Sequence, residues 1–229
     1  MIKDFNKFKK TYKNHDSKKQ LLHKAGRILR FIFATNSAIW FEKDLSEKSP
    51  SYKANFPIEI NTTSTSETIK WLKSLDEDWV IRPQEIPVAI KFGHCWISAR
   101  TNRKIIGCIK IGFRNVYIAD YNKVIKFPDK MAFIYDTYVL PEYRKKGVGK
   151  YLITQAINFL KTRGYTRVGC HIPPWNKASI CAYEKTGFKK INYIRYFRFF
   201  GIPLLIASNN KKFSMFRNGK ITKKETPYE

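Results

Sequence analysis

Acidic residues and cysteines are scarce in this chain of 229 residues, and each scarcity narrows the possible classes of protein. Only 18 residues are acidic, against 44 lysines and arginines, which gives a formal charge of +26 at pH 7. The four cysteines form no C-x-x-C pair, and with His23 and His94 they do not complete a zinc-site spacing. We therefore expect no metal and reduced, mostly buried thiols at Cys95, Cys108, Cys170 and Cys181.

The sequence also lacks a long apolar run. The longest apolar stretch near its end is FFGIPLLIA (Phe199–Ala207), about half of the ~20 residues that a membrane-spanning helix needs. The first residues, MIKDFNKFKK, carry charges where a signal peptide has its apolar region. We therefore expect a cytoplasmic protein without a membrane-spanning helix.

The excess positive charge has two interpretations. It favours anionic partners, such as nucleic acid, an anionic membrane surface or a phosphorylated ligand. Lysine outnumbers arginine, however, and the lysines are spread along the chain, so compositional drift also explains the charge. No signature of a nucleic-acid-binding module is present. The sequence favours general solvation and leaves a nucleic-acid surface as the alternative.

The remaining composition predicts a folded domain with two basic extensions. Hydrophobic residues make up 43% and aromatic residues 15%, which is enough for a sizeable core. We assign residues 1–35 to a basic N-terminal extension, 36–208 to the main domain and 209–229 to a basic C-terminal tail. Apolar residues recur at helical spacing in Lys18–Phe33, with cations between them. This amphipathic helix either packs on the domain, which we favour, or contacts a membrane surface or acidic partner.

Periodicity and turn residues predict the order of the elements. Strands are predicted at Ser37–Leu45 and Phe56–Thr63, and helices at Thr65–Leu75 and within Arg82–Gly93. A strand hairpin over His94–Phe113 and an irregular crossover over Asn115–Lys130 follow. The last part of the domain is predicted as a strand at Met131–Leu140, a helix at Gly147–Gly164, a strand at Tyr165–Ile172, a helix at Asn176–Gly187 and one or two further strands. This order is typical of a mixed α/β sheet with a crossover helix.

The segment PEYRKKGVGKYL (Pro141–Leu152) lies between a predicted strand and a predicted helix. The first N–H groups of a helix have no helical partner and, with the helix dipole, attract a phosphate or pyrophosphate. Gly147 and Gly149 allow the backbone to approach an anion closely. Four cations raise the local potential: Arg144, Lys145, Lys146 and Lys150. Neither a Walker A loop nor the three-glycine dinucleotide motif fits this segment.

Two motifs carry a resemblance to a known family. YVLPEYRKKGVGKYLI resembles the acetyl-CoA-binding motif of the GCN5-related N-acetyltransferase (GNAT) superfamily, V-x-P-x-Y/F-Q/R-x-x-G-I/V-G. NKASICAYEKTGF is similar to that family's N-x-x-A/S-x-x-x-Y-x-x-x-G-F signature. The matching residues are Val139, Pro141, Tyr143, Arg144, Gly147, Val148 and Gly149, then Asn176, Ser179, Tyr183, Gly187 and Phe188. The resemblance covers about Gly93–Phe199.

The resemblance implies an N-acetyltransferase that moves an acetyl group from acetyl-CoA to a primary amine by direct attack in a ternary complex. It implies a mixed, mostly antiparallel, twisted sheet of about six to seven strands flanked by helices. It also implies that Thr137–Val139 pairs with the pantetheine arm, with the Val139 N–H polarising the thioester carbonyl. The implied acetyl-CoA-binding residues are Thr137, Tyr138, Val139, Arg144, Lys145, Lys146, Gly147, Val148, Gly149, Lys150 and Asn176.

Tyr183 matches the family's general acid, which protonates the departing CoA thiolate. The base is open between His171, which ends a predicted strand and titrates near neutrality when free, and Asp136. In IYDTYV a tyrosine, Tyr135, replaces the glutamate that several family members have there. Glu142 is a weaker candidate in the loop, and His94 is better explained as a buried structural histidine.

The fold does not fix the acceptor amine. We expect its site to be built from the crossover and the aromatic half of the chain, unless those side chains are core. The residues in question are Trp40, Phe41, Trp79, His94, Trp96 and the crossover Asn115–Lys130. The charge argues against a polyamine acceptor. Two alternatives are an RNA- or ribosome-associated binding protein with this fold and an acyltransferase at a membrane surface.

Overall fold

The computed structural model describes residues 33–63, 65–75, 85–121, 123–199 and 202–207. The chain divides into two compact units, residues 37–194 with 207–229 and residues 1–36 with 195–206. The predicted amphipathic helix at Lys18–Phe33 lies outside the described residues except at Phe33, which begins the first strand. Trp79 and the tail 209–229 also lie outside them, so the proposed domain boundaries stay predictions.

The described residues form ten strands and four α-helices. The strands are β1 Phe33–Asp44, β2 Glu59–Thr63, β3 Cys95–Thr101, β4 Lys104–Phe113, β5 Asn115–Ile118, β6 Lys123–Lys126, β7 Met131–Val139, β8 Arg167–Ile172, β9 Lys189–Phe199 and β10 Ile202–Ala207. The helices are α1 Thr65–Ser74, α2 Glu85–Lys91, α3 Val148–Thr162 and α4 Lys177–Lys185.

Seven strands of the larger unit form a mixed sheet, in the order β9-β1-β8-β7-β4-β3-β2. The pairs β1–β8, β2–β3, β3–β4 and β4–β7 are antiparallel, whereas β7 and β8 are parallel. Helix α3 makes the crossover that a parallel pair requires. The predicted mixed, mostly antiparallel sheet of six to seven strands is confirmed. In the smaller unit, β10 is the neighbour of β9.

The segment between β4 and β7 corrects one prediction. We predicted an irregular crossover over Asn115–Lys130, but β5 and β6 form an antiparallel hairpin there. Val116 and Ile118 are buried and alternate with the partly exposed Tyr117, which is the pattern of a half-buried strand. The strands have four residues each, too short for the periodicity to stand out from their polar neighbours.

Helix α3 anchors the larger unit's core. It begins after Gly147 and ends before Gly164, both with positive φ, as the sequence predicts. Its apolar residues recur every third or fourth position, so one stripe faces the core. The buried residues of the stripe are Val148, Leu152, Ile153, Ala156, Ile157 and Leu160, which pack on β3, β4 and β7.

The described helices include none long and apolar enough to cross a membrane. The apolar stretch Phe199–Ala207 contains the end of β9 and all of β10, so its described part is extended. All four cysteines are free thiols; Cys108 and Cys170 are buried, Cys95 is partly buried and Cys181 is exposed. The prediction of mostly buried thiols is therefore wrong for Cys181, which the motif places on α4.

Candidate active site

Strands β7 and β8 separate within the sheet. They pair from Met131 with Arg167 to Ile134 with Cys170, and no pair follows. Beyond that point β7 continues to Val139, paired with β4 only. The register between β4 and β7 shifts at Asp136, which has a left-handed φ of 55° and is the extra residue of a β-bulge. Because a bulge bends its strand, Asp136 directs β7 away from β8 and opens a gap.

The loop after β7 leads into the N-terminus of α3. Gly147, with φ of 86°, precedes the first helical residue, and Lys145 is also left-handed, with φ of 61°. A Cβ atom added at Gly149 would meet only Val139 Cγ2, at 4.0 Å, so the space beside this glycine is open. The loop therefore has the exposed helix N-terminus, the cations and the room that the predicted pyrophosphate site requires.

The segment Ser51–Phe56, here called the strap, lies against this loop. The Asn55 N–H donates to the carbonyl of Lys146 at 3.2 Å, and the Tyr52 hydroxyl donates to the carbonyl of Lys185 at 2.9 Å. The Lys150 ammonium lies 4.4 Å from the centre of the Tyr52 ring, a cation–π distance. The strap thus connects the first turn of α3 with the last turn of α4.

Two predicted cofactor contacts have other partners in the structure. Asn176 caps α4, since its Oδ1 accepts the Ser179 N–H at 3.1 Å. The Arg144 Nε–H donates to the Val139 carbonyl at 3.0 Å, so this side chain bends back towards β7.

Tyr138 is buried, and its ring packs edge-to-face with the Trp71 ring, with 6.0 Å between the ring centres. The side chain of Tyr138 is therefore part of the core, and only its backbone remains a candidate for the cofactor.

Tyr183 lies beside the gap. It is buried on α4, and its hydroxyl is 2.9 Å from the hydroxyl of Thr137 on β7. Burial raises the pKa of the Tyr183 phenol well above its usual value, and the neighbouring Cys170 and Asp136 add to this, while the Thr137 hydrogen bond opposes it. Tyr183 therefore keeps its proton at neutral pH, as a general acid must.

His171 lies on the other strand that borders the gap, directly after Cys170. Its Nε2 is 2.9 Å from Oδ2 of Asp120, which belongs to the turn between β5 and β6. A carboxylate accepts, so Nε2 donates, and a neutral ring then carries its lone pair at Nδ1. That Nδ1 is buried and has no hydrogen-bond partner among the described residues. His171 thus has one ring nitrogen held by Asp120 and a second that is buried without a partner among the described residues.

Tyr183 and His171 lie on opposite faces of the sheet. Successive residues of a strand point to opposite faces, so Cys170 and His171 do so. Cys170 is close enough to Tyr183 to raise the pKa of its phenol, whereas the His171 ring stacks on Phe133 at 5.6 Å. The Tyr183 hydroxyl and the His171 imidazole therefore approach the gap from opposite sides.

Asp136 belongs to a buried charge network. The Lys110 ammonium is 3.0 Å from Glu85 Oε2 and 3.9 Å from Asp136 Oδ2. The same ammonium lies 4.1 Å from the centre of the Tyr135 ring and 5.0 Å from that of Trp96. Asp136 is thus held by a cation of β4.

His94 is a structural residue, as predicted. Its Nδ1 is 2.7 Å from the Tyr135 hydroxyl and its Nε2 is 3.0 Å from the Asn115 carbonyl. Since that carbonyl accepts from Nε2–H, Nδ1 accepts from the phenol. Burial lowers the pKa of His94 to about 4, with a further contribution from Lys110, against the hydrogen bond to Asn115. Tyr135, which stands where a glutamate was expected, therefore supports His94.

The aromatic residues predicted to line the acceptor site are in the core. Trp40, Phe41 and Trp96 are all buried, and Trp40 stacks on Phe133 at 5.4 Å. The prediction that they line an exposed site is therefore wrong, and their other reading, as core residues, is confirmed. The crossover places Asp120 against His171, and its role in an acceptor site stays a prediction.

Sequence reasoning missed Asp120, the pair Glu85–Lys110 and the strap. Lys110 had a signal, because it is a lone cation in the apolar strand IIGCIKIGF, and a buried cation needs a partner. Asp120 had no such signal, because it lies 51 residues from His171 in a segment without a motif.

Among the described residues no group of three or more His, Cys, Asp or Glu could hold a metal ion.

Comparison with known proteins agrees with this geometry. The sequence profile described as "Acetyltransferase (GNAT) family" matches residues 58–188, more than half of the chain. The match begins at residue 58, well before Gly93, so it includes β2 and the first helices. A crystal structure of a Drosophila protein has a TM-score of 0.52 at 11% identity, covering 80% of this chain and 58% of that one, which is a likeness of fold alone.

Two curated relatives are similar in sequence. Aminoglycoside N(6')-acetyltransferase type 1 of Klebsiella aerogenes is 31% identical over 88 residues, which are 38% of this chain and 57% of that protein. An uncharacterized N-acetyltransferase of Methanocaldococcus jannaschii is 27% identical over 129 residues, 55% of this chain and 46% of that protein. The chain thus spans about half the length of the curated relatives it matches. The profile match over residues 58–188 nevertheless shows that this chain belongs to the acetyltransferase (GNAT) family.

Proposed function

We propose that this protein transfers the acetyl group of acetyl-CoA to a primary amine by direct attack in a ternary complex. The observation that carries the proposal is the separation of β7 from β8 after Ile134 and Cys170, with a protonated phenol on one side and an oriented imidazole on the other. Direct transfer needs both groups at once, because one proton leaves the amine while another reaches the sulfur.

The proposed cofactor site runs from the α3 loop into the gap. The N–H groups of Lys145–Lys150 would hold the pyrophosphate, and the cations of this loop would neutralise it. Thr137–Val139 would pair with the amides of the pantetheine arm, and the Val139 N–H would stabilise the oxyanion. The open space at Gly149 supports this assignment, since a side chain there would face the phosphates.

Tyr183 and His171 divide the proton transfers in this proposal. The amine nitrogen attacks the thioester carbon, a C–N bond forms and the C–S bond breaks. His171 accepts the proton of the amine, and Tyr183 gives its proton to the thiolate of CoA. We assign the base to His171 rather than Asp136 because the Asp136 carboxylate interacts with the buried Lys110. Asp120 acts as a positioning residue that orients the ring and stabilises the imidazolium.

The chemical class of the acceptor follows from the charges on the His171 side. Asp120 lies beside His171, and its carboxylate would attract a protonated amine before the amine loses its proton. An amino sugar is a reasonable acceptor to test, because the relative from Klebsiella aerogenes is an aminoglycoside N(6')-acetyltransferase. The overall charge of +26 favours acceptors that also carry anionic groups.

The test begins with calorimetric titration of the protein with acetyl-CoA at two salt concentrations. We expect micromolar binding that Gly149→Glu abolishes, because the new carboxylate would occupy the pyrophosphate position. Asn158→Glu is a suitable control, since it places the same carboxylate at an exposed position of α3, nine residues further along the helix. Unchanged affinity in Gly149→Glu would refute the pyrophosphate assignment.

Release of free CoA then identifies the acceptor. The free thiol is measured in the presence of one candidate acceptor amine at a time. The candidates are kanamycin, glucosamine 6-phosphate, a nucleotide-linked amino sugar and a peptide with a free N-terminal amine. Turnover that requires both acetyl-CoA and one of these amines supports the proposal. Acetyl-CoA binding without turnover by any amine would instead support a binding role for this fold.

A further inference from the structure

A second cavity lies away from the gap, at the C-terminal end of α3. It has a volume of about 430 Å³ and is lined by six side chains from α2, the β4–β5 connection and the end of α3. They are three cations and three aromatic residues: Lys91, Arg114 and Arg163, with Phe92, Phe113 and Tyr165. Among the residues that the structure describes, none that lines it is acidic. We propose that this cavity binds a nucleotide, either free or as a unit of single-stranded RNA.

The three cations come together without carboxylate partners among the described residues. Lys91 lies 5.8 Å from the centre of the Phe92 ring, and Arg163 lies 4.2 Å from that of Phe159. The side chains of Arg114 and Arg163 are near enough to Tyr165 to oppose the rise that burial produces in its pKa. Like charges repel, so three unpaired cations around one cavity create a site of positive potential that attracts an anion.

Arg114 is the most informative of the three. Lys91 and Arg163 follow from local structure, because cations are favourable at helix C-termini. Arg114 is outside any helix and has a left-handed φ of 57°, which a non-glycine residue adopts at a cost. An asparagine would adopt this backbone more easily. Arg114 is therefore the one of these three cations whose presence at the cavity is not explained by a helix end.

The aromatic residues define the second half of the ligand. The Phe113 and Tyr165 rings are 5.1 Å apart, and both border the cavity together with Phe92. Guanidinium groups bind phosphate with two parallel hydrogen bonds, and aromatic rings stack on nucleobases whatever the base. A ligand with a phosphate and a planar ring satisfies both halves.

This site is separate from the proposed acetyl-CoA site. Arg163 follows the last residue of α3, and the anion-binding loop precedes the first, so the 15 residues between them put about 22 Å between the two ends. Failure of one site does not affect the other in a binding experiment. The cavity is therefore a candidate site for a second, nucleotide-class ligand.

The test is calorimetric titration with AMP and with a ten-nucleotide oligoadenylate, with the protein saturated with CoA throughout. We expect AMP to bind, and Arg114→Asn combined with Arg163→Gln to weaken it at least tenfold. The control combines Arg103→Asn with Lys190→Gln, which removes the same charge. Arg103 is also exposed and left-handed, with φ of 64°, but it lies in the β3–β4 turn.

The outcomes of these titrations decide the inference. Weakening in the cavity variant but not in the control supports it, and an oligonucleotide that binds where AMP does not points to RNA as the source. If a base stacks on Tyr165, Tyr165→Leu should weaken the binding of AMP and leave the binding of inorganic phosphate unchanged. No binding of either probe at low salt, or equal weakening of AMP binding in the control, would overturn the assignment.

Discussion

Tyr183 and His171 differ in the hydrogen bonds that hold them, and this difference decides what single substitutions can test. Tyr183 shares one bond, with the hydroxyl of Thr137, and the partner does not ionise. His171 shares one bond with Asp120, a carboxylate. Removing the partner therefore takes away a neutral hydroxyl at Tyr183 but an ionisable group at His171.

Tyr183→Phe should lower kcat by roughly 100-fold and leave the Kd for acetyl-CoA unchanged, because only the acid that protonates the thiolate is lost. Steady-state kinetics and calorimetry measure the two quantities. Thr137→Val is the matched control, since it removes the same hydrogen bond but keeps the phenol. If the two variants lose equal activity, Tyr183 is structural and does not donate the proton.

His171→Gln should remove one ionisation from the pH dependence of kcat/KM. Asp120→Asn should keep that ionisation, because the imidazole that accepts the proton is still present. The pH–rate profile separates these outcomes from a folding defect, which would lower activity evenly. A profile that stays the same in His171→Gln would remove His171 as the base, and Asp136→Asn would then be the next variant.

At the scale of the elements, two glycines at the N-terminus of α3 have different surroundings. Gly147 and Gly149 stand only two residues apart. A Cβ atom at Gly147 would lie 3.2 Å from the Lys53 carbonyl of the strap, with φ of 86°, whereas a Cβ atom at Gly149 would have room. The first glycine thus allows the strap to approach, and the second allows the anion to approach.

The same substitution at these two positions should therefore have opposite effects. Gly147→Ala should lower the free energy of unfolding by about 1–2 kcal/mol, because alanine resists the left-handed conformation and presses on the strap. Gly149→Ala should leave the fold unchanged or slightly more stable and weaken acetyl-CoA binding. Urea denaturation and calorimetry on both variants measure this. Equal destabilisation by both would show that Gly149 serves the helix and not the ligand.

For the whole molecule, His94 couples stability to pH. Its pKa is about 4 in the folded protein and about 6.5 when unfolded, so the unfolded chain binds more protons between these values. The contribution of neutral His94 is complete above pH 6.5 and is lost as the pH falls towards 4. It amounts to at most about 3 kcal/mol.

Thermal unfolding from pH 7 to pH 4 should show this loss in the natural sequence and a smaller one in His94→Gln. The glutamine can keep one hydrogen bond but does not titrate, so the difference between the two curves isolates His94 from the carboxylates. Parallel curves would mean that His94 is protonated equally in both states.

The features that could be predicted from sequence are those whose determinants lie next to one another in the chain. Gly147, Gly164 and Asn176 mark the limits of α3 and α4, and each has the predicted role at the helix end. The family resemblance pointed to Tyr183, and the structure puts its hydroxyl beside β7, while its role as the acid stays a prediction. Local capping and turn chemistry explain these successes.

The features that could not be predicted depend on residues far apart in sequence. Asp120 meets His171, and Glu85 meets Lys110, only after the sheet and the β5–β6 hairpin have formed. The burial of Trp40 and Trp96 likewise depends on which face of the sheet is covered, which composition does not determine. Aromatic residues predict a core or a binding site equally well until the packing is known.

The separation of β7 from β8 also has a consequence for amide hydrogen exchange. In an uninterrupted sheet, the central amides are protected by neighbours on both sides and exchange slowly. Here Tyr135–Val139 pairs with β4 only, so this stretch should exchange faster than Met131–Ile134 of the same strand. A ligand with amide groups in the gap would act as a substitute strand. We expect acetyl-CoA to slow exchange in this stretch first, so that cofactor binding completes the sheet.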